Sequence, residues 1–190
     1  MKKMKLPFML ALLAGSVVAS AGAQVDAQEL ILVPEESKIS FVGTKPEGKH
    51  EGGFKKFDVK AIANFEEPSR SSINIQIEAS SLWADDQKLA NHLKSPDFFN
   101  VRKYPAITFE SIEIVPGEKE GEVPTATIKG DLHMLGEKVA VDVPIQAKVT
   151  EETVEMTAEF KIDRTKWGMD YGQGKVDNQV QVKVKFVMNR

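Results

Sequence analysis

Apolar and polar residues alternate with a period of two along most of this chain. Phe57 to Phe65 sets Phe57, Val59, Ala61, Ala63 and Phe65 against Asp58, Lys60 and Asn64, and Ser71 to Ala79 sets Ile73, Ile75 and Ile77 against Asn74, Gln76 and Glu78. Ser37 to Gly43 carries Ile39 and Phe41 on one face, and Thr125 to Met134 carries Ile128, Leu132 and Met134. Three long runs close the chain: Lys138 to Val149, Thr153 to Ile162 and Asn178 to Met188. A strand turns successive side chains to opposite faces, so each run predicts a strand that is apolar on one side only. Ala106 to Val115 makes the eighth, and its apolar parity switches from Ile107 and Phe109 to Ile112 and Ile114, which predicts a bulge near Ser111.

The breaks between runs are short and have turn chemistry: Pro68-Ser69-Arg70, Pro116-Gly117-Glu118, Leu135-Gly136-Glu137 and Thr150-Glu151-Glu152. Short connections make successive strands antiparallel neighbours. One stretch departs from the period. Ser80 to Tyr104 has helical spacing in Leu82, Leu89 and Leu93, Asp85 and Asp86 suit a helix start, and Ser95-Pro96-Asp97 ends it. Strands apolar on one face bury that face in a two-sheet sandwich or in a closed barrel. Eight long strands favour the barrel, roughly 30 Å tall at about 3.3 Å per residue. Its inner positions are mostly Val, Ile and Ala, and the period alone leaves a solid core and an elongated apolar channel both open.

The ends and composition narrow the function. Lys2, Lys3 and Lys5, an uncharged run from Leu6 to Ala19 and the small residues Ala21-Gly22-Ala23 predict a signal peptide over residues 1–23, with cleavage expected before Gln24. The remainder, 24–190, is expected to be one domain, periplasmic or secreted after cleavage. Removing the three lysines takes the formal charge from −3 to −6, which does not attract nucleic acid. The chain has no cysteine, which excludes a disulfide, a thiol nucleophile and a thiolate metal site. Two Trp and two Tyr are too few for the aromatic girdles of a membrane barrel, so no stable membrane insertion is expected. His50, His92 and His133 show no ligand spacing and give no metal site, with His92 read as a hydrogen-bonding group under the helix. Asp85-Asp86 and Glu66-Glu67 are adjacent, so their side chains diverge and neither pair is an acid/base dyad.

The segment from His92 to Ser111, HLKSPDFFNVRKYPAITFES, resembles the signature of the YceI-like family: a short helix, a Ser-Pro-Asp-Phe-Phe turn, a Lys-Tyr-Pro corner and a Thr-Phe strand. Gly52-Gly53-Phe54, Gly130-Asp131-Leu132 and the run from Ile162-Asp163-Arg164 to Trp167-Gly168-Met169 resemble its other motifs, so that the likeness spans Val33 to Met188. Two segments depart from the family pattern, Glu47 to Glu51 and the short turn at Leu135-Gly136-Glu137; both are placed at rims, where they bear on which ligand is bound.

The resemblance implies an all-β fold: an eight-stranded antiparallel lipocalin-like barrel with one short helix and helical turn packed at its side. It also implies a pore that takes a polyisoprenoid, an isoprenoid quinone or a similar lipid, with no catalytic residue set and no cofactor. Pore or rim candidates on that basis are Phe41, Phe54, Ile75, Ile77, Phe98, Phe99, Phe109, Val182, Val184 and Phe186, with Trp167 capping a closed end. Arg164 either pairs with a carboxylate or meets a polar head group. The expected partner is the lipid, with a homodimer left open. The alternatives are an enzyme or stress protein acting on a small polar molecule, and a structural or partner-binding barrel with a filled core.

Overall fold

The computed structural model describes residues 27–118 and 125–190; the signal peptide and its cleavage point lie outside them. Eleven strands run β1 (Ala27–Leu32), β2 (Lys38–Lys45), β3 (Gly48–Phe54), β4 (Phe57–Asn64), β5 (Ser72–Glu78), β6 (Leu82–Ala84), β7 (Ala106–Pro116), β8 (Thr125–Met134), β9 (Glu137–Val149), β10 (Thr153–Asp163) and β11 (Gln179–Asn189), with one helix, α1 (Gln87–Leu93). They form eight staves of a closed antiparallel barrel, because three staves are bent and each counts as two strands. β1 and β2 lie end to end along β11, with Leu32 opposite Met188 and Lys38 opposite Lys185. β4 and β3 lie in the same way along β1 and β2, and β5 and β6 along β4 and β3.

The first bend is made by a turn at Pro34–Glu36, and a side chain repairs the ladder there. Ser37 Oγ donates to the Val33 carbonyl at 2.8 Å and accepts the Val187 N–H at 3.0 Å, so the rung lost at the bend is replaced by a hydroxyl. The bulge expected near Ser111 is present. The β7–β8 register shifts between Ser111 and Glu113, Ile112 turns out to 70 % exposure, and Ile114 turns in. Ser111 Oγ accepts the Ile73 N–H at 2.9 Å, again a side chain standing in for a carbonyl. Between β8 and β9 the two turn residues Leu135 and Gly136 have φ of 57° and 87°, the left-handed pair a tight two-residue hairpin requires.

The helical stretch is shorter than its spacing predicts. Leu82 belongs to β6, and only Gln87–Leu93 is α-helical. Asp86 caps it, accepting the Leu89 N–H at 2.8 Å, an interaction worth about 1 kcal/mol. Its neighbour Asp85 points away and takes the Glu51 N–H at 3.0 Å and His50 Nδ1 at 3.0 Å, which ties the helix start to β3. These two contacts hold the Asp85 carboxyl below the usual carboxylate range, the Glu51 N–H first. Among the described residues no helix is long and apolar enough to cross a membrane.

The two ends of the barrel differ. At the end holding Asn64 and Thr150, Leu30, Ile114, Val154 and Met188 are all buried in the core cluster and line no cavity, so this end is filled as a plug. At the other end lie α1, the turn after it and a strap over residues 168–178 that joins β10 to β11.

Candidate functional site: an apolar pore

Above the plug the barrel is hollow. A cavity of about 200 Å³ is lined by the inward faces of β2, β3, β5, β7, β8, β9, β10 and β11, and by Arg164 and residues of α1, its following turn and the strap. Of the residues around it, only Ser40 and Arg164 carry polar side chains. The inward faces are the alternating Val, Ile and Phe positions of each strand, so the sequence period and the pore wall are the same feature.

Eleven of the twelve candidates read from the sequence lie on this wall: Phe41, Phe54, Ile75, Ile77, Phe98, Phe99, Phe109, Arg164, Val182, Val184 and Phe186. Trp167 does not. It is buried at 2 % exposure, with its indole N–H on the Leu132 carbonyl at 3.0 Å, and it fixes the short turn Arg164–Trp167 against the barrel. Wall residues that sequence reasoning did not single out include Val141, Val143, Ile145, Met156, Phe160, Ile162, Met169 and Val176. Those on β9 and β10 follow the same alternation; Met169 and Val176 sit in the irregular strap, where no period marks them.

Glycines make room for two of the wall aromatics. A Cβ on Gly52 would come within 2.6 Å of the Phe41 ring, and one on Gly130 within 2.5 Å of the Phe109 ring. Each ring lies flat across the neighbouring strand for that reason. Phe41, Phe54 and Phe99 then form a triangle with ring centroids 5.6 to 6.1 Å apart near the helix end of the pore. A second group, His92, Phe98 and Tyr171, ties the strap to the helix at 4.9 to 5.3 Å. His92 Nε2 lies 2.8 Å from Asp97 Oδ2, so its polar contact is in the turn after the helix.

Arg164 is 3 % exposed and its partners are oxygens of the strap, not a carboxylate. Nε donates to the Asp177 carbonyl at 3.2 Å, Nη1 to Met169 at 2.5 Å, and Nη2 to Val176 and to Asn178 Oδ1, both at 3.4 Å. Among the described residues it makes no ion pair. The strap is thus knotted from inside around a guanidinium on the pore wall, and latched from outside by Asp177, whose N–H donates to the Thr44 carbonyl at 2.9 Å and whose carboxylate accepts the Thr44 hydroxyl.

Asp163 holds the start of the Arg164 turn, accepting from the Thr165 N–H at 3.0 Å and hydroxyl at 2.7 Å. The Thr165 hydroxyl, then its N–H, hold this carboxyl below the usual range, with burial opposing and Lys166 and Arg164 assisting. A depressed folded pKa means stability that is present above the unfolded value of about 3.9 and lost as pH falls through the folded one. We expect acid to loosen this turn, seen as a change in Trp167 emission in a Trp83→Phe background. In Asp163→Asn, which accepts the same bonds without titrating, that acid step is absent; an unchanged step would place its origin elsewhere.

Among the described residues no group of three or more His, Cys, Asp or Glu side chains is placed to hold a metal ion. The groups with displaced pKa values, Glu78, Asp85, Lys103, Lys129, Lys138 and Asp163, all lie off the pore wall.

Comparison with known proteins agrees with this architecture. A UPF0312 protein of Pseudomonas putida is 32 % identical over 145 residues, covering 74 % of this chain and 70 % of the relative. Burkholderia cenocepacia BcnA superposes with a TM-score of 0.76 at 24 % identity, over 82 % of this chain and 98 % of BcnA. A polyisoprenoid binding domain from Saccharophagus degradans, implicated in plant cell wall breakdown, superposes with a TM-score of 0.66 at 11 % identity, over 86 % of this chain and 99 % of that domain. At these identities the superpositions speak for the shared barrel alone. The YceI-like domain matches residues 31–188, nearly the whole of the described barrel, and the chain belongs to the YceI-like family.

Proposed function

We propose that this chain is an exported binding protein that holds one long apolar amphiphile, a polyisoprenoid, an isoprenoid quinone or a similar lipid, in the barrel pore for transport, storage or stress protection. The observation that carries this reading is the wall itself: a cavity bounded by thirty residues, of which only Ser40 and Arg164 are polar. Such a wall offers nothing to a small polar substrate and much to a hydrocarbon chain, at about 0.8 kcal/mol for each CH₂ taken out of water. The polyisoprenoid-binding neighbour from Saccharophagus degradans supports the same ligand class.

The plug below and Arg164 above, the one buried cation among the described residues, give the ligand a direction. Its tail runs toward Met156 and Phe186, and its polar head lies near Arg164, whose guanidinium has five donors and uses four on the strap. Binding rather than catalysis fits the position of the groups with displaced pKa values, which among the described residues all lie off the pore wall. The signal-peptide pattern supports work in the periplasm or outside the cell, where such a chain would otherwise be exposed to water.

Native mass spectrometry tests this. Protein purified from its own host is expected to carry a lipid adduct, and stripped protein to gain one mass of geranylgeraniol on incubation. A bare polypeptide mass in both experiments overturns the reading. In the same spectra, a mature mass starting at Gln24 tests the export step.

A further inference from the structure

The barrel wall is not zipped along its whole height. The ladder between β9 and β10 runs from Val154 opposite Val149 to Ala158 opposite Ile145 and stops. Both strands continue. β9 stays paired with β8 back to Glu137, and β10 stays paired with β11 on to Asp163. Each strand is therefore held by its outer neighbour and, beyond that last rung, not by the other. The stop has a sequence cause: the next β9 residue is Pro144, which has no N–H to offer a further rung.

The seam borders the pore, and past Asp163 it ends where the Arg164–Trp167 turn packs against β9. Val143 on β9 and Phe160 on β10 line the cavity from its two sides. Continuing the register across the gap would set Asp142 directly opposite Lys161, yet among the described residues these two opposite charges make no ion pair. Asp142 instead faces Lys129, its partner on β8. The other exits are obstructed, one by the plug and the other by the strap with its Thr44–Asp177 latch and its Arg164 knot.

We infer that the seam between β9 and β10 is the portal through which an apolar chain enters and leaves the pore sideways. This rests on the pore reading above. Five β10 residues past the last rung give a slot roughly 16 Å long at about 3.3 Å per residue. A chain can pass broadside through it, and no backbone rung of about 1 kcal/mol each has to break. The Asp142 and Lys161 charges are placed to draw the slot together once the chain is inside.

The chain has no cysteine, so an engineered pair has no competing thiol. Asp142→Cys with Lys161→Cys should staple the slot from outside the pore. With cis-parinaric acid as the probe, the oxidised variant is expected to load and release at least tenfold more slowly than the same variant reduced. Thr44→Cys with Asp177→Cys, which staples the strap, is expected to leave both rates unchanged on oxidation. An unslowed seam staple, or slowing by the strap staple alone, overturns the portal. A disulfide-free arm stands beside it: Lys161→Asp should speed release severalfold through repulsion from Asp142, and Asp142→Lys combined with Lys161→Asp should restore it. Equal rates in all three proteins also overturn the portal. Failure of the unmodified protein to bind the probe at all falls on the pore reading instead, and shows before any oxidation.

Discussion

Phe186→Ala is expected to destabilise the barrel by about 3–5 kcal/mol and to lower its Tm by on the order of 10 °C. Phe186 is fully buried and stands where the plug meets the pore floor. It sits opposite Met156 on β10, and its ring packs on Phe57 with centroids 5.7 Å apart. Its strand is the hinge of the closure: β11 pairs along its length with β10 on one side, and with β1 and β2 in turn on the other. Truncation leaves a void that merges with the pore, so neighbours on the hollow side have nothing to lean on, and collapse cannot recover the loss. Chemical and thermal denaturation measure it. A loss below about 1 kcal/mol would mean that the floor is not packed as described.

The residues that made this fold readable are those whose local pattern agrees with their tertiary place. All eight staves were visible as alternation, the bulge as a parity switch around Ser111, and the helix start as Asp85-Asp86. What was not visible has a physical reason in each case. β1 reads Leu30-Ile31-Leu32, an unbroken apolar run, because Ile31 points outward at 66 % exposure while Leu30 points in. β3, Gly-Lys-His-Glu-Gly-Gly-Phe, carries almost no apolar face, since its glycines serve to admit the Phe41 ring and a close backbone. Leu82 carries helical spacing but adds a strand to β3, because the chain bends there to continue the stave begun by β5.

The pore wall was legible to the extent that it is made of strands. Val182 and Val184 could be read from their period; Met169 and Val176 could not, because the strap is positioned by Arg164 and not by any repeat. Arg164 was visible in the Ile162-Asp163-Arg164 motif, but its oxygen partners come from residues up to fourteen positions later, and only the closed strap brings them to it. The seam is the clearest case of a feature with a local cause and a non-local meaning. Pro144 is plain in the sequence, and what it interrupts depends on which strand lies beside it.

Val182→Trp is expected to abolish lipid binding while leaving stability unchanged or raised. Val182 is the fourth residue of β11, between Phe160 on β10 and Phe41 on β2, and its side chain points into the cavity. In a filled barrel an indole at that point would have no room, and overpacking would cost about 1–3 kcal/mol. In a hollow one the indole occupies space otherwise given to ligand and gains contacts with the Phe41 and Phe160 rings. The sign of the stability change therefore separates a hollow barrel from a filled one without any knowledge of the ligand. Val59→Trp supplies the contrast, since Val59 is buried at 5 % exposure in wall that does not face the cavity, and there the overpacking cost should appear in full. Affinity for geranylgeraniol should fall at least tenfold in Val182→Trp, about 1.4 kcal/mol or more. A Val182→Trp protein that is destabilised as much as Val59→Trp, or that still binds with wild-type affinity, would mean that the space inside this barrel is not where the chain lies.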